Sequence, residues 1–450
     1  MTTVRPRAHI FFDMTSRETA ADIIRRLNDA GHEAYLVGGC VRDELRGLAP
    51  ADYDIATSAL PDEVEGLFAR TVGVGKSFGV VLVLEAEEQF EVATFRADGE
   101  YIDGRRPIAV EFSDAKTDAS RRDFTVNGLF LNPVTGEVHD WVGGEADIAA
   151  HALRTIGDAT ERFGEDHLRL LRAVRFAAQL GFEIETATWT AVQTHAEQIT
   201  KVSAERIRDE LLKLFRPPHA ARGLDLLRDS GLLAHVLPEL VDTIGCEQSP
   251  EFHPEGDVYQ HIRLMLDSMG ADAPAELPWT ILLHDIAKPA TAAIGKDGLI
   301  HNYGHDKLGA KMAEDILQRL RFPRKQIDAI VFTVLKHMNL AAAPKMRKAK
   351  LRRMLLRPTF SLELEQHRID CLGSHRKLDI YDFLRAEQVA LADQPALLEP
   401  LVTGRDLIAL GIEPGPPMGK LLNEIRDRQL AEEFNTREAA LEWAKENAAQ

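Results

Sequence analysis

The spacing of apolar residues changes once along this chain, near residue 155. Before that point short apolar runs typical of strands, such as 80–85 and 124–131, alternate with segments of helical spacing such as 16–29. After it Leu, Ala, Arg and Glu recur at intervals of three and four residues to the end. The pattern predicts an α+β protein, in which a small α/β head is followed by an all-α remainder.

The composition excludes several classes of protein. Of the 450 residues, 45% are hydrophobic and 28% are charged, which is typical of globular proteins and excludes extensive disorder. No run approaches the roughly 18 apolar residues of a membrane span, so we expect no contact with a membrane. The formal charge of −17 disfavours general attraction to a polyanion but leaves room for a local basic surface. Three scattered cysteines favour a reducing cytoplasm over a disulfide framework.

Residues 36–57 read LVGGCVRDELRGLAPADYDIAT and hold a first group of functional candidates. A strand runs into Gly38 and Gly39, a helix carries Arg42, and a second strand is predicted to carry Asp52 and Asp54. Side chains alternate across a strand, so both carboxylates are expected on one face, close enough to share divalent cations. Two such cations completed by a triphosphate are suited to in-line attack on phosphorus.

Basic and glycine residues around this pair favour phosphate binding. The two glycines let backbone amides approach a phosphate, and Arg42 can neutralise its charge. Further on, SRRDFTVNG places Arg121 and Arg122 before an apolar run. These two are either ordinary surface charges or a clamp for triphosphate oxygens.

Residues 165–182, EDHLRLLRAVRFAAQLGF, predict an amphipathic helix. Arg169, Arg172 and Arg175 fall within an arc of about 120°. They form either a solvated basic face or a ligand-binding one. Asp166 can accept from the exocyclic amine of cytosine or adenine, and Arg169 can donate to the neighbouring ring nitrogen. Uracil and guanine present the reverse order, so this pair would admit CTP and ATP and reject UTP and GTP.

These motifs, with EVATFR between them, occur in an order that resembles the class II tRNA nucleotidyltransferases (CCA-adding enzymes) and the related bacterial poly(A) polymerases. The resemblance covers about residues 34–215 and implies that Asp52 and Asp54 bind Mg²⁺. One departure is Asn127-Gly128, where the family usually has Asn-Ala. The resemblance and the chemistry above assign nucleotide contacts to Gly38, Gly39, Arg42, Arg122, Asp166, Arg169, Arg172 and Arg175.

Within that family, GKSFGVVLVLEAEEQFEVATFR is similar to the tRNA enzymes, whereas bacterial poly(A) polymerases usually have a basic, aromatic-rich run there. The polar stretch 96–107 resembles a loop that full CCA-adding enzymes keep. The implied activity is Mg²⁺-dependent, template-independent addition of C, C and A to tRNA 3′ ends from CTP and ATP. The alternatives are an A-adding tRNA nucleotidyltransferase and a poly(A) polymerase.

A second group of candidates lies in the helical part. His261, the adjacent pair His284-Asp285 and Asp370 resemble the pattern of HD metal-dependent phosphohydrolases, with four more histidines nearby at 253, 301, 305 and 337. Such a set suits a second divalent metal, Mg²⁺, Mn²⁺ or Ni²⁺. Either the site is active or the fold survives as a structural body. A further alternative is therefore an HD phosphohydrolase of small nucleotides, with the head serving only as a binding module.

The breaks in the helical pattern and the resemblance together predict four segments. They are a nucleotidyltransferase catalytic head at 15–155, a helical nucleotide- and RNA-binding neck and body at 156–250, an HD-type helical domain at 251–375 and a C-terminal helical tail at 376–450. Residues 345–357, KMRKAKLRRMLLR, are either a solvated helix face or part of a track for the RNA backbone.

Overall fold

The computed structural model describes residues 15–98, 110–250, 253–394, 397 and 399–447. The chain divides into two compact units, one of Met1–Leu211 with Leu226–Val236 and one of Leu212–Asp225 with Leu237–Gln450. The first unit contains the strands of a mixed sheet, and the second is almost entirely helical. The predicted α+β class is therefore confirmed. Among the described residues, no helix has both the length and the apolar character to span a bilayer.

The head is built on a seven-stranded sheet in the order β3-β4-β5-β2-β1-β8-β9. The pairing of β2 with β5 is parallel, and the other neighbours run antiparallel. The strands are β1 (Ala34–Val37), β2 (Asp54–Thr57), β3 (Thr71–Gly75), β4 (Val80–Glu85), β5 (Glu88–Thr94), β6 (Arg96–Asp98), β7 (Val110–Phe112), β8 (Phe130–Leu131) and β9 (Val138–His139), with β6 and β7 forming a separate pair.

Helix α1 shows why the head helices form where they do. The hydroxyl of Thr15 accepts from the backbone N–H of Glu18, and the carboxylate of Glu18 accepts from the backbone N–H of Thr15. Two backbone N–H groups at the helix start are thereby satisfied. Its buried face, with Ile23, Ile24 and Leu27, joins the core on one side of the sheet. The helices of this part are α1 (Ser16–Asp29), α2 (Gly39–Leu45), α3 (Pro61–Leu67), α4 (Ala115–Ser120), α5 (Gly144–Ala149), α6 (Ala159–Glu165), α7 (Leu168–Leu180) and α8 (Thr186–His195).

The remaining chain is helical apart from short strand pairs. Two of these pairs are β10 (Ala152–Leu153) with β11 (Glu183–Ile184), and β12 (Ala293–Ile294) with β13 (Ile300–His301). The helices are α9 (Ala204–Leu214), α10 (Ala220–Asp229), α11 (Leu233–Val236), α12 (Pro238–Val241), α13 (Val258–Asp267), α14 (Leu277–Leu283), α15 (Lys288–Thr291), α16 (His305–Arg319), α17 (Arg324–Lys336), α18 (Lys348–Leu355), α19 (Phe360–Gly373), α20 (Asp379–Ala392), α21 (Gly404–Ala409), α22 (Pro416–Leu430) and α23 (Arg437–Asn447).

Two local expectations were wrong. The second strand begins at Asp54, so Asp52 lies just before it and not within it. The apolar run 124–131 is not one strand, because a 3₁₀ turn at Thr125–Asn127 interrupts it before the short β8. Of the polar stretch 96–107, residues 99–107 lie outside the described residues.

Part of the basic run 345–357 is used within the helical unit. Arg352 donates to the carbonyl of Leu430 at 2.8 Å, and Arg353 pairs with Asp427. Lys348 and Arg352 also pair with Glu432. These contacts join α18 to the end of α22, so those three basic side chains do not form a purely solvated face.

Candidate active site in the head and candidate metal centre in the helical unit

Asp54 begins β2, the central strand of the seven-stranded sheet, and Asp52 lies just before it. Asp54 pairs with Val37 across the antiparallel ladder, is half-buried, and follows the exposed Asp52 by two residues. Burial and then the charge of Asp52 raise the pKa of Asp54 to about 6, with a smaller contribution from Glu91. The guanidinium of Arg122 acts in the opposite direction. A carboxylate whose pKa is raised by burial and by neighbouring negative charge is suited to bind a divalent cation.

Glu91 is a candidate that the sequence argument missed. Strand β5 runs parallel to β2 with Ile55 beside Val92, and this register places Glu91 beside the start of β2. Its effect on the pKa of Asp54 agrees with that position. Glu91 is the first residue of EVATFR, and its acidic side chain in that motif was the signal that could have identified it. The sequence argument used the motif only for the family resemblance.

Gly38 and Arg122 meet at the end of β1. Gly38 has φ +75°, a conformation that favours glycine, and a Cβ added there would lie 3.1 Å from Nη1 of Arg122. Arg121 and Arg122 both pair with the buried carboxylate of Asp118, at 2.7 and 3.1 Å. The two arginines are therefore held by an internal anion, and neither is a loose surface charge.

Arg42 lies four residues after Gly38 and is held by its own set of polar contacts. It lies on α2, which begins at Gly39, and it is buried. Its guanidinium pairs with Asp43 and donates to Oδ1 of Asn127 at 2.6 Å. The 3₁₀ turn that interrupts the run 124–131 contains Asn127, so the break in the predicted strand positions this contact.

A chain of polar contacts continues from Asn127 to α7. The Nδ2 of Asn127 donates to Asp123 at 3.1 Å, and Arg172 donates to the other oxygen of Asp123 at 2.8 Å. Although burial alone raises the pKa of Asp123, the charge of Arg172 and these hydrogen bonds hold it at about 2. Arg175 donates to Glu210 at 2.5 Å, and Arg172 lies 3.7 Å from the same carboxylate.

These contacts bear on one of the two interpretations of the basic face, that of a solvated surface. Arg169 and Arg175 are buried and Arg172 is half-buried, so a solvated face is wrong for α7. Sequence reasoning missed Asp123 and Glu210, the carboxylates that hold these arginines. A row of rigidly held guanidinium groups can present donors in fixed directions.

The pair assigned to base recognition is held by residues that the sequence analysis did not consider. Oδ2 of Asp166 accepts from Arg206 at 2.7 Å, and its Oδ1 accepts from the backbone N–H of Leu168 at 3.0 Å. The guanidinium of Arg169 donates to Glu165 at 2.5 Å. Each of the two side chains therefore has its own charged partner, and a nucleobase would have to be recognised beside those partners.

In the helical unit three of the four predicted metal ligands, His261, His284 and Asp285, lie together, and the fourth, Asp370, contacts His261. His261 is on α13, the pair His284-Asp285 follows α14, and Asp370 is on α19. Nε2 of His261 lies 3.1 Å from Oδ1 of Asp370, and Nε2 of His284 lies 3.2 Å from Oδ2 of Asp285. His261, His284 and Asp285 are fully buried. Three helices thus bring separate parts of the sequence to one point.

The hydrogen bonds of these residues fit a metal centre. Nδ1 of His284 lies 2.8 Å from the carbonyl of Ile281, which fixes it as the protonated nitrogen and leaves the lone pair on Nε2. That buried Nε2 makes no hydrogen bond with any described residue. Two imidazoles and two carboxylates form a suitable ligand set for Mg²⁺, Mn²⁺ or Ni²⁺.

Glu255 and Lys288 were missed by the sequence analysis. One oxygen of Glu255 lies 2.7 Å from Nδ1 of His261 and 2.9 Å from Nδ1 of His253. Burial lowers the pKa of His261, but Asp370 and Glu255 outweigh burial and raise it to about 9. Lys288 lies 2.7 Å from Asp285. Glu255 is positioned to orient His261 in the way that carboxylates orient metal-bound histidines.

Comparison with protein families gives matches both in the head and in the helical part. Residues 34–154 match the family model for the poly A polymerase head domain. The head of this chain is similar to poly A polymerase heads. Behind that head, residues 181–243 match the model described as "Probable RNA and SrmB- binding site of polymerase A", and residues 257–373 match the HD domain. The resemblance found in the sequence, including the HD domain, is confirmed.

Similar proteins share the name CCA-adding enzyme. The enzyme from Geobacillus thermodenitrificans is 45% identical over 226 residues, which is 50% of this chain and 55% of the relative. The enzyme from Latilactobacillus sakei is 40% identical over 261 residues, 56% of this chain and 65% of the relative. The chain thus matches about half to two thirds of the length of these curated relatives.

Solved structures match over nearly the whole chain. The Bacillus stearothermophilus CCA-adding enzyme in complex with CTP is 28% identical with a TM-score of 0.73, covering 97% of this chain and 98% of the other. The Thermotoga maritima CCA-adding enzyme complexed with tRNA is 19% identical with a TM-score of 0.53, covering 94% and 93%. The second likeness concerns the fold alone.

Proposed function

We propose that this chain is a Mg²⁺-dependent, template-independent nucleotidyltransferase that adds C, C and A to tRNA 3′ ends from CTP and ATP. The observation that carries the proposal is the cluster of three carboxylates, those of Asp52, Asp54 and Glu91, near the start of β2. The guanidinium of Arg122 lies beside this cluster. The curated relatives named CCA-adding enzyme and the CTP complex of the Bacillus stearothermophilus enzyme support this activity over the poly(A) and A-adding alternatives.

In this proposal the carboxylates hold magnesium and the basic side chains hold the triphosphate. Asp52 and Asp54 would bind Mg²⁺, which lowers the pKa of the attacking 3′-hydroxyl and stabilises the departing pyrophosphate. Gly38 leaves room for Arg122, whose guanidinium stays close to Asp54 because Asp118 anchors it. A cation fixed in this way neutralises triphosphate oxygens without first losing conformational freedom.

Base choice is assigned to the start of α7. Asp166 accepts from an exocyclic amine and Arg169 donates to the adjacent ring nitrogen, which matches cytosine and adenine. Arg206 and Glu165 hold these two side chains in place, since each makes an ion pair with one of them. Uracil or guanine would leave both groups mispaired, at a cost of about 1–3 kcal/mol for each.

We propose that the four predicted segments are the domains of this chain. The head at 15–155 carries the chemistry, and the helices at 156–250 contribute base and RNA contacts. The HD-type domain at 251–375 and the tail at 376–450 follow. Three free cysteines and the choice of tRNA as substrate are consistent with the reducing cytoplasm as the site of action.

The proposal is tested by incorporation of each labelled nucleoside triphosphate into tRNA that ends before CCA. We expect CTP and ATP to be used and UTP and GTP to be rejected, with activity abolished in Asp54→Ala. A matched control is Asp62→Ala, because its side chain is 83% exposed and lies outside the carboxylate group. Equal use of all four nucleotides, or an active Asp54→Ala enzyme, would contradict the assignment.

A second activity is favoured by one observation, the buried Nε2 of His284, which has no hydrogen-bond partner in the described part of the chain. The HD centre would hold a second divalent metal through His261, His284, Asp285 and Asp370, and would hydrolyse phosphate esters of small nucleotides. The double variant His284→Ala with Asp285→Ala should lose a metal-dependent phosphatase or cyclic phosphodiesterase activity. CCA addition should stay within a few-fold, with a melting curve to confirm folding. A folded variant that keeps the hydrolase activity would contradict the assignment.

A further inference from the structure

A β-hairpin in the helical unit presents an exposed aromatic stack. Strands β12 and β13 pair antiparallel, with His301 beside Ala293. The rings of His301 and Tyr303 are parallel to within 9°, and their centroids lie 5.1 Å apart. Tyr303 is 82% exposed, whereas Tyr259 in the same unit is 1% exposed. Neither the proposed transfer reaction nor the four HD ligands use this stack.

Local contacts hold the stack in place. Residues two apart in an extended segment lie on one face, which brings the two rings together. Nε2 of His301 lies 3.0 and 2.9 Å from the two oxygens of Asp297, so a carboxylate in the hairpin turn fixes the imidazole. Aromatic rings stacked with an offset at this spacing attract each other. Tyr303 therefore rests on a fixed ring, and its outer face is open to solvent.

The hairpin leads directly into the HD centre. Gly304 follows Tyr303 with φ +80°, and His305 then begins α16. Two residues of chain span at most about 7 Å, which limits the distance between the Cα atoms of Tyr303 and His305. Nε2 of His305 lies 3.4 Å from Oδ1 of Asp285, a member of the HD pair. The aromatic stack and the HD pair therefore lie on neighbouring parts of one domain.

We propose that the outer face of Tyr303 is a stacking site for the base of a small nucleotide whose phosphate lies in the HD centre. Every nucleobase has a flat π-face, so an aromatic side chain stacks on it whatever the base. A ring that is held in place before the ligand arrives loses little conformational freedom on binding. This inference rests on the proposed hydrolase activity, and it makes His301 and Asp297 the residues that position Tyr303.

The test measures how much a base adds to the binding of a phosphonate. The probes are the 5′-phosphonate analogue of UMP, which has no phosphate ester to hydrolyse, and the same phosphonate on a ribose without a base. Uracil is used because we propose that the head rejects it. Each probe is titrated onto the full-length chain with Mn²⁺ by calorimetry. Binding of the probe without a base reports the HD centre and the gain from the base reports Tyr303, so failure of the hydrolase proposal and failure of this inference are distinguishable.

Substitutions assign the gain to the ring. Tyr303→Ala should weaken binding of the base-bearing probe by about 5-fold or more and leave the other probe unchanged. Tyr303→Phe keeps the ring and should bind like wild type. Ile294→Ala is the matched control, because Ile294 is 79% exposed on the same hairpin and has no flat ring. Asp297→Ala, which releases His301, should cause an intermediate loss. Equal losses for the two probes in Tyr303→Ala, or no loss for either, would overturn the inference.

A photochemical label locates the base. The 5-iodo derivative of the UMP phosphonate is irradiated on the wild-type chain, which is then digested with trypsin. The label should appear on the peptide 297–307, which contains Tyr303. Absence of label from that peptide would overturn the inference. A folded Tyr303→Ala variant that loses affinity for tRNA but keeps its affinity for the base-bearing probe would also overturn it, because RNA would then be the partner. Melting curves establish that each variant is folded.

Discussion

Replacing Asp123 with asparagine should destabilise the protein more than any surface substitution of the same kind. Asp123 is buried and accepts hydrogen bonds from Arg172, from Asn127 and from the backbone N–H of Phe124. Its pKa of about 2, against an ordinary value of 3.8, corresponds to about 2 kcal/mol of preferential stabilisation of the charged form. Breaking a buried ion pair costs about 3–5 kcal/mol, and Arg172 keeps Glu210 at 3.7 Å as a weaker partner. We therefore expect the free energy of unfolding to fall by about 2–4 kcal/mol.

The assay is urea unfolding at pH 7 followed by circular dichroism, with Asp43→Asn as the matched control. Asp43 pairs with Arg42, but its side chain is 24% exposed, so we expect its loss to cost less than about 1 kcal/mol. The pKa of Asp123 is lower in the folded state than in the unfolded state, so its contribution is present above about pH 4 and disappears as the pH falls toward 2. The difference between wild type and Asp123→Asn should shrink over that range. Equal stability at pH 7, or a difference that does not change with pH, would refute the reasoning.

Three further sets of substitutions test the assigned roles of other residues. Asp52→Ala or Asp54→Ala should reduce nucleotide addition below a few per cent of wild type at saturating Mg²⁺, and filter binding should show that tRNA affinity largely survives. Asp166→Ala or Arg169→Ala should raise UTP and GTP incorporation relative to CTP and ATP, measured as ratios of kcat/KM, whereas unchanged ratios would exclude their role in base choice. Glu255→Ala should weaken Mn²⁺ binding to the HD centre by about 10–100-fold, as expected when the partner that orients a ligand is lost. Glu255→Gln, which keeps an acceptor, should weaken it less, and equal affinities for both variants and wild type would contradict the orienting role.

The fold class and the family resemblance could be predicted from the sequence, because both depend on local patterns. The period of the apolar residues distinguishes the head from the helical part, and the motifs around Gly38 and Asp54 are each contained in a short stretch. The run 124–131 shows the limit of such patterns. Its apolar residues fit a strand, but burial of the turn at Thr125–Asn127 lets Asn127 reach Arg42, 85 residues away.

The partners of the site residues could not be predicted, because they come from distant parts of the chain. Arg175 is held by Glu210, 35 residues further on, and Asp166 by Arg206, 40 residues further on. An arc of arginines on a helix looks the same in sequence whether water or a buried carboxylate faces it. His337 likewise comes within 3.9 Å of Asp285 only because α14 and α17 pack together.

The most direct test of the central claim gives the purified chain three tRNA substrates that lack one, two or three of the terminal nucleotides, with CTP, ATP and Mg²⁺. The products are read by sequencing their 3′ ends. We predict that all three substrates are completed to CCA and extended no further, with ATP alone sufficient only for the tRNA that lacks one nucleotide. Extension of that tRNA alone would identify an A-adding enzyme, and long adenosine tails would identify a poly(A) polymerase. Either result would contradict the proposed function.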